Sequence, residues 1–281
     1  MLEAALEVAI ATAREAGELL RARLQTPLTT RYKGIRDVVT EVDLEAQSLI
    51  VERLQASFPD HAIWAEEGHA ATVGAAADYT WIVDPLDGTN NYSRHHPTFA
   101  VSIALAQGSD VLLGAVYEPL RDFLFCGRRG QGAFVNGRPL RVSSVEEWSQ
   151  ALVACDWARD ETTRARVLQM VNLIIPEVYT FRTLGAAALG FCYVAAGWLD
   201  AYFSLSLMPW DVAAGALFVA EAGGTATTPE GAPWSLAGGG YLASNGRLHQ
   251  HLLDAAQAAL AECGAEPNPR AKRAKPLRGY K

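Results

Sequence analysis

The chain has 281 residues, half of them hydrophobic and one fifth charged, with a formal net charge of −7. That balance suits a water-soluble globular protein with one large core or two packed halves. Six basic residues in the final EPNPRAKRAKPLRGYK stand against Glu266 alone, so the rest carries a net −12, which argues against a nucleic-acid groove on the folded body.

The opening MLEAALEVAIATAREAGELLRARL has apolar residues at helical spacing and acids, Glu3 and Glu7, where a signal peptide would be basic, so it reads as a surface helix of the mature fold. No apolar run approaches the roughly 20 residues of a membrane span. TPLTTRYKGIR reads as a turn-rich loop. It leads into a second helix with Asp43 in its N-terminal region and an apolar stripe through Leu44, Ile50, Val51 and Leu54, ended by Phe58-Pro59-Asp60. AIWAEEG is a short strand and HAATVGAAADY a flexible loop. WIVDP, FAVSIALAQ and VLLGAVYEP are spaced as neighbouring strands, and FLFCGRRGQGAFVNGRPL as a hairpin pair closed by Asn136-Gly137.

From about Ser143 the pattern alternates. ALVACDW, VYTFRTL and DAYFSL read as strands between helices over TTRARVLQMVNLII, GAAALGFCYVAAG and VAAGALFVAEAGG. This divides residues 1–264 into subdomains of about 1–142 and 143–264, with a basic, disordered tail over 265–281. Cys126, Cys155, Cys192 and Cys263 are isolated and read as reduced thiols of a cytoplasmic protein. No glycine-rich phosphate loop of the GxxxxGK[ST] or GxGxxG kind follows a strand, which argues against a nucleotide-dependent kinase or dehydrogenase.

Four acidic clusters carry the chemistry: Asp37 with Asp43, Glu66 with Glu67, Asp84 with Asp87, and Asp211 in PWD. Two aspartates three residues apart repel unless a cation lies between them. An all-oxygen donor set without His or Cys suits Mg²⁺, Mn²⁺ or Ca²⁺, and Mg²⁺ is the choice made here. Pro85 biases Asp84 toward an extended conformation, and Gly88 with Thr89 opens a short helix whose free N–H groups suit an anion. Each cluster alone has a plainer reading: a solvated turn for Glu66-Glu67, a helix cap for Trp210-Asp211. Their joint occurrence specifies metal-assisted phosphoryl chemistry. Cys155-Asp156-Trp157 reads as a strand end with its aromatic in the core in preference to a lining of the leaving-group pocket, and His95 and His96 as a surface loop in preference to general acids. His249 and His251, at i,i+2 spacing, face different directions.

DVVTEVD, WAEEG, WIVDPLDGTNNY and PWDVAAGALFVAEAGG, in that order, resemble the inositol monophosphatase family of Mg²⁺-dependent, lithium-sensitive phosphatases. The resemblance runs from the first helix to about Cys263. It implies an α+β fold, a layered α-β-α-β-α sandwich, in a homodimer. It also implies metal ligands Glu66, Asp84, the Leu86 carbonyl, Asp87 and Asp211 for two or three Mg²⁺, with Mn²⁺ a substitute and Li⁺ and Ca²⁺ inhibitory. Asp43 and Thr89 would orient and deprotonate the attacking water alongside Glu66, with Lys33 and Glu67 as auxiliary positions. Asp87, Gly88, Thr89, Gly185, Ala186, Ala187 and Asp211 would contact a small phosphorylated metabolite, inositol 1-phosphate first. A 3'(2'),5'-bisphosphate nucleotidase, a histidinol-phosphate phosphatase, a fructose-1,6-bisphosphatase and a metal-binding scaffold without turnover are the alternatives. Ser204 stands where inositol-specific members carry a glutamate, so the substrate contact there differs.

Overall fold

The computed structural model describes residues 1–67, 70–71 and 77–262. Helix α1 (Leu2–Arg23) buries Ala5, Ala9, Ala13, Ala16 and Leu20, a stripe of mostly small side chains that lets the helix lie close to a sheet. The segment expected as a loop forms instead a two-stranded antiparallel hairpin of β1 (Thr30–Gly34) and β2 (Asp37–Thr40). All five residues of β1 are exposed, so no apolar alternation marks it. Helix α2 (Glu41–Ser57) is capped by Thr40, whose hydroxyl accepts from the Val42 N–H. Its buried face runs through Val42, Ala46, Ile50 and Leu54, while Leu44 is exposed. Of the predicted stripe, Ile50 and Leu54 are buried and Val51 packs against the same core, and only Leu44 falls off the face.

The next elements build the larger sheet: β3 (Ala62–Ala65), β4 (Ala70–Ala71), β5 (Tyr79–Asp87), the one-turn helix α3 (Thr89–Tyr92), β6 (Ala100–Gln107), β7 (Asp110–Glu118), β8 (Phe123–Arg128), β9 (Ala133–Val135) and β10 (Arg138–Pro139). The strand order is β10-β9-β8-β7-β6-β5-β3-β4. Asn136 and Gly137 both have positive φ and close the β9–β10 hairpin as the sequence predicts. The flexible loop read over HAATVGAAADY falls mostly on residues outside the described ones.

The second half comprises β11 (Leu152–Cys155), α4 (Glu161–Ile174), β12 (Thr180–Thr183), α5 (Ala187–Ala195), β13 (Ala201–Leu207), α6 (Pro209–Glu221), β14 (Thr225–Thr227), β15 (Gly239–Ser244) and α7 (His249–Glu262). Its sheet has the order β12-β11-β13-β15-β14. Helices α1 and α2 cover one face of the large sheet, α5 and α6 lie between the two sheets, and α4 and α7 cover the far face of the small sheet. This is the expected α-β-α-β-α sandwich.

Strand β6 shows why the layers form. Val101, Ile103 and Leu105 enter the core under α1 and α2, whereas Ala100, Ala104 and Ala106 enter the core around α5 and α6. The period-2 alternation feeds large side chains to one side and small ones to the other. Complete burial of each large aliphatic contributes roughly 1.5–3 kcal/mol, so the strand is fixed in this register. The small-residue face is needed because α5 and α6 pack tightly: a Cβ on Gly215 would meet the Phe191 Cβ at 2.4 Å.

Among the described residues no helix is long and apolar enough to cross a membrane. Cys126, Cys155 and Cys192 are free thiols; Cys263 and the tail from 265 lie outside the described residues. His95 and His96 are exposed, as expected of a surface loop, and His96 also lines the cavity that holds Asp84 and Asp211. His249 is buried beside the Thr227 and Ser244 hydroxyls, while His251 is exposed and pairs with Glu177.

Candidate active site

Strand β5 carries the first two aspartates to the same place by an irregularity. Its register against β6 pairs Asp84 with Ser102 and Asp87 with Ala100, three steps on one strand against two on the other. In regular β structure, residues three apart point to opposite faces; the extra residue of a bulge restores both to one side. Pro85 sits inside this bulge, and the strand continues through it to Asp87 rather than ending at the proline. Gly88 follows at φ 93°. A Cβ there would stand 3.0 Å from the Thr98 carbonyl oxygen and 3.2 Å from that of Gly185, so both the left-handed conformation and the close approach call for glycine.

Asp211 arrives from the other half. It is the third residue of α6, with Pro209 opening the helix, and its Oδ2 accepts from the Met208 N–H at 2.7 Å. One carboxylate oxygen each from Asp84, Asp87 and Asp211 lie within 4.8 Å of one another. Burial is the first cause pushing all three carboxyls up; the charges of Glu66, Asp87 and Asp211 add to it at Asp84, those of Asp211 and Asp156 at Asp87, and that of Glu66 at Asp211, which rises to about 7. Main-chain amides also donate to them, Leu86 N to Asp84 and Ala187 N and Ala188 N to Asp87, while Asp84 and Asp211 share a side-chain hydrogen bond. A buried set of oxygen donors that repel one another fits a divalent cation.

Glu66, just beyond β3, is held by Lys33 Nζ at 3.1 Å, and the same ammonium reaches Glu67 at 2.6 Å. Lys33 therefore anchors both glutamates from the β1–β2 hairpin. Burial raises the Glu67 carboxyl, and the Lys33 hydrogen bond opposes it.

Thr89 opens α3 with its Oγ1 2.9 Å from Asp43 Oδ1 and 3.0 Å from the Leu86 carbonyl oxygen. One hydroxyl proton serves one strong bond, and the carboxylate is the stronger acceptor, which leaves the Leu86 carbonyl available to another partner. Asp43 is fully buried in the first turn of α2, where its Oδ2 accepts from the Thr40 N–H and hydroxyl. Burial lifts its carboxyl to about 6, against the pull of the Thr40 and Thr89 hydrogen bonds. At neutral pH it is mostly an ionised acceptor.

These groups meet at a cavity of about 450 Å³ lined from both halves, including Glu66, Asp84, Leu86, Asp87, Gly88, Thr89, Gly185, Ala187 and Asp211. Asp43 lies behind Thr89 and Ala186 is buried, neither among the lining residues. The amides of Leu184 and Gly185 are turned to Asp156 Oδ1 at 3.1 and 2.6 Å, and that of Ala187 to Asp87 at 2.9 Å. Asp156 lines the cavity, the less favoured of the two sequence readings of Cys155-Asp156-Trp157, and it also fixes the turn before α5 and accepts from the Tyr202 hydroxyl at 2.7 Å. Its position at the end of a strand, like that of Asp84, was the available signal. Trp157 is corrected: it is 38% exposed and lines the cavity rather than the core, because β11 ends at Cys155 and releases it. Arg182 points to its own strand, donating to Thr180 Oγ1 and the Phe181 carbonyl. Ser204 is buried and lines the cavity.

Known proteins resemble this chain in sequence and fold. The model of the family described as "Inositol monophosphatase family" matches residues 1–261. Inositol monophosphatase 2 of Solanum lycopersicum is 39% identical over 260 residues, 90% of this chain and 98% of that protein. Nus factor SuhB of Escherichia coli (strain K12) is 37% identical over 251 residues, 88% of this chain and 94% of that one. The crystal structure of the extragenic suppressor protein suhB from Bartonella henselae superposes with a TM-score of 0.87 at 34% identity, covering 90% of this chain and 98% of that chain.

Proposed function

The chain belongs to the inositol monophosphatase family, and on that premise we propose that it is a Mg²⁺-dependent phosphomonoesterase acting on a small polyol or sugar phosphate. The observation that carries the reading is the joint presence of a buried carboxylate set and the Asp43–Thr89 pair beside it. Glu66, Asp84, Asp87, Asp211 and the Leu86 carbonyl would hold the ions. Bound there, Mg²⁺ supplies Lewis-acid activation of a water and neutralises charge on the phosphate.

The chain's own groups do the rest. With its proton on the Asp43 side, the Thr89 hydroxyl accepts a hydrogen bond from the attacking water, orienting it and passing the proton on to Asp43. Gly88 and Thr89 offer a seat for the phosphate where no side chain intrudes at Gly88. Lys33 holds Glu66 in place. Asp87, bound to the Ala187 and Ala188 amides, keeps the α5 turn against the substrate position. Two or three ions, inhibition by Li⁺ and Ca²⁺, a homodimer and a cytoplasmic location belong to the same reading.

Phosphate release from inositol 1-phosphate with Mg²⁺, and its loss with a chelator, is the expected outcome. The competitor from another class is a scaffold that binds metal without turnover, and some relatives carry the name Nus factor rather than phosphatase. Failure to release phosphate from inositol 1-phosphate, fructose 1,6-bisphosphate, histidinol phosphate and 3'-phosphoadenosine 5'-phosphate alike would select it.

Metal occupancy has its own readout. The repelling carboxylates destabilise the metal-free fold, so Mg²⁺ at a hundredfold excess over its Kd raises the melting temperature by about 5–10 °C. No shift on adding Mg²⁺ would remove the metal from this site.

A further inference from the structure

The mouth of the cavity differs in charge from its floor. Three guanidinium groups line it: Arg36 from the hairpin tip, and Arg159 and Arg164 from the start of the second half. Each is tethered. Arg36 Nη1 donates to the Arg159 carbonyl at 2.7 Å, and Arg159 Nη1 pairs with Asp37 at 3.0 Å. Arg164 Nη1 donates to the Ala158 carbonyl at 3.2 Å, and its Cζ lies 5.1 Å from the centre of the Trp157 ring. Among the described residues neither Arg36 nor Arg164 has a carboxylate partner in an ion pair.

The acids that share this part of the lining are already engaged. Asp37 pairs with Arg159 through Oδ2, its buried Oδ1 having no hydrogen-bond partner among the described residues, and Asp156 accepts from main-chain amides and Tyr202. Ser204 and Ser206 add neutral hydroxyls. Once cations neutralise the floor, the field at the mouth is positive. A guanidinium has five N–H donors in a fixed fork, and tethering by one of them leaves the others preorganised for a planar or tetrahedral anion. A neutral polyol would accept hydrogen bonds here but form no ion pair.

We propose that the mouth is a second anion site, in which Arg36 and Arg164 bind a phosphate or carboxylate carried by the leaving-group part of the substrate. This rests on the phosphomonoesterase reading above and narrows its substrate class to phosphomonoesters with two anionic groups. Arg159, neutralised by Asp37, acts as a positioning residue that carries Arg36 on its carbonyl.

The test compares kcat/KM with Mg²⁺ for fructose 1,6-bisphosphate, with a second phosphate, and glycerate 2-phosphate, with a carboxylate, each as a ratio to inositol 1-phosphate. In the wild type at least one ratio exceeds unity and falls with added salt. Arg36→Gln and Arg164→Gln each lower that ratio roughly tenfold through KM, while Arg164→Lys, which keeps the charge, recovers part of it. Which ratio responds identifies the anion. Ratios below unity in the wild type, or parallel changes on all substrates, would overturn the proposal. No turnover of any substrate would instead overturn the phosphomonoesterase reading, and this proposal with it.

Discussion

Asp84→Asn lowers the rate of phosphate release by about 10³-fold or more while the protein remains folded. Asp84 is the carboxylate on which the repulsion converges: Glu66, Asp87 and Asp211 all raise its carboxyl beyond the effect of burial. An asparagine retains an oxygen to accept from the Leu86 N–H, now at 3.0 Å, so the bulge keeps its internal hydrogen bond. What disappears is one negative charge among four. The metal-free protein therefore melts no lower than the wild type, and the rise on adding Mg²⁺ shrinks or vanishes. Asp87→Asn is a less clean probe, because its two oxygens each accept a main-chain amide of α5 and an amide side chain can accept only one of them. Initial rates and melting curves with and without Mg²⁺ provide the check, and a variant of Asp84 with wild-type turnover would end the metal assignment.

The second large effect is expected at Thr89. Thr89→Ala removes the only hydroxyl within hydrogen-bond reach of Asp43 Oδ1 in the described contacts, and with it the path from water to carboxylate. Turnover should fall about 10²–10³-fold, whereas the Mg²⁺-induced rise in melting temperature stays. Stability drops by roughly 1–3 kcal/mol, since a buried carboxylate oxygen loses its donor. Thr89→Ser restores the donor and should recover most of the rate. Single-turnover kinetics on the three proteins separate chemistry from binding, and an alanine variant as fast as the wild type would take Thr89 out of the mechanism.

The carboxylates were legible in the sequence because each stands beside an unmistakable local signal: a proline and a glycine around Asp84 and Asp87, a strand end before Glu66, a helix start at Asp211. What joins them was less legible. A bulge leaves no mark in hydrophobic periodicity, so the means by which Asp84 and Asp87 share a side appears only in the register with β6. Strand β1 escaped because all its side chains face solvent, and pairing of main chains has no residue signature. Leu44 was placed in the apolar stripe of α2 by its type, but the true face is set by the cap at Thr40, which fixes where the first turn begins. Asp156 and Trp157 both line the cavity, the reading that a strand end with a core aromatic outweighed. A lone aspartate does not announce which amides it will meet, and a lone tryptophan was assigned to the core by its bulk.

The amides that Ala187 and Ala188 donate to Asp87 join residues 100 and 101 positions apart, one end on β5 and the other on α5. Assembly of the centre is thereby tied to the docking of the two halves. A nascent or partly unfolded chain whose second half has not docked has Glu66, Asp84 and Asp87 but neither Asp211 nor the clamp on Asp87. It offers a divalent ion an incomplete and loosely held set of donors, and so is poorly suited to capture metal early. Metal affinity becomes a report on folding, and any lesion that loosens the contact between the halves, however far from the cavity, should register first as a loss of Mg²⁺ binding.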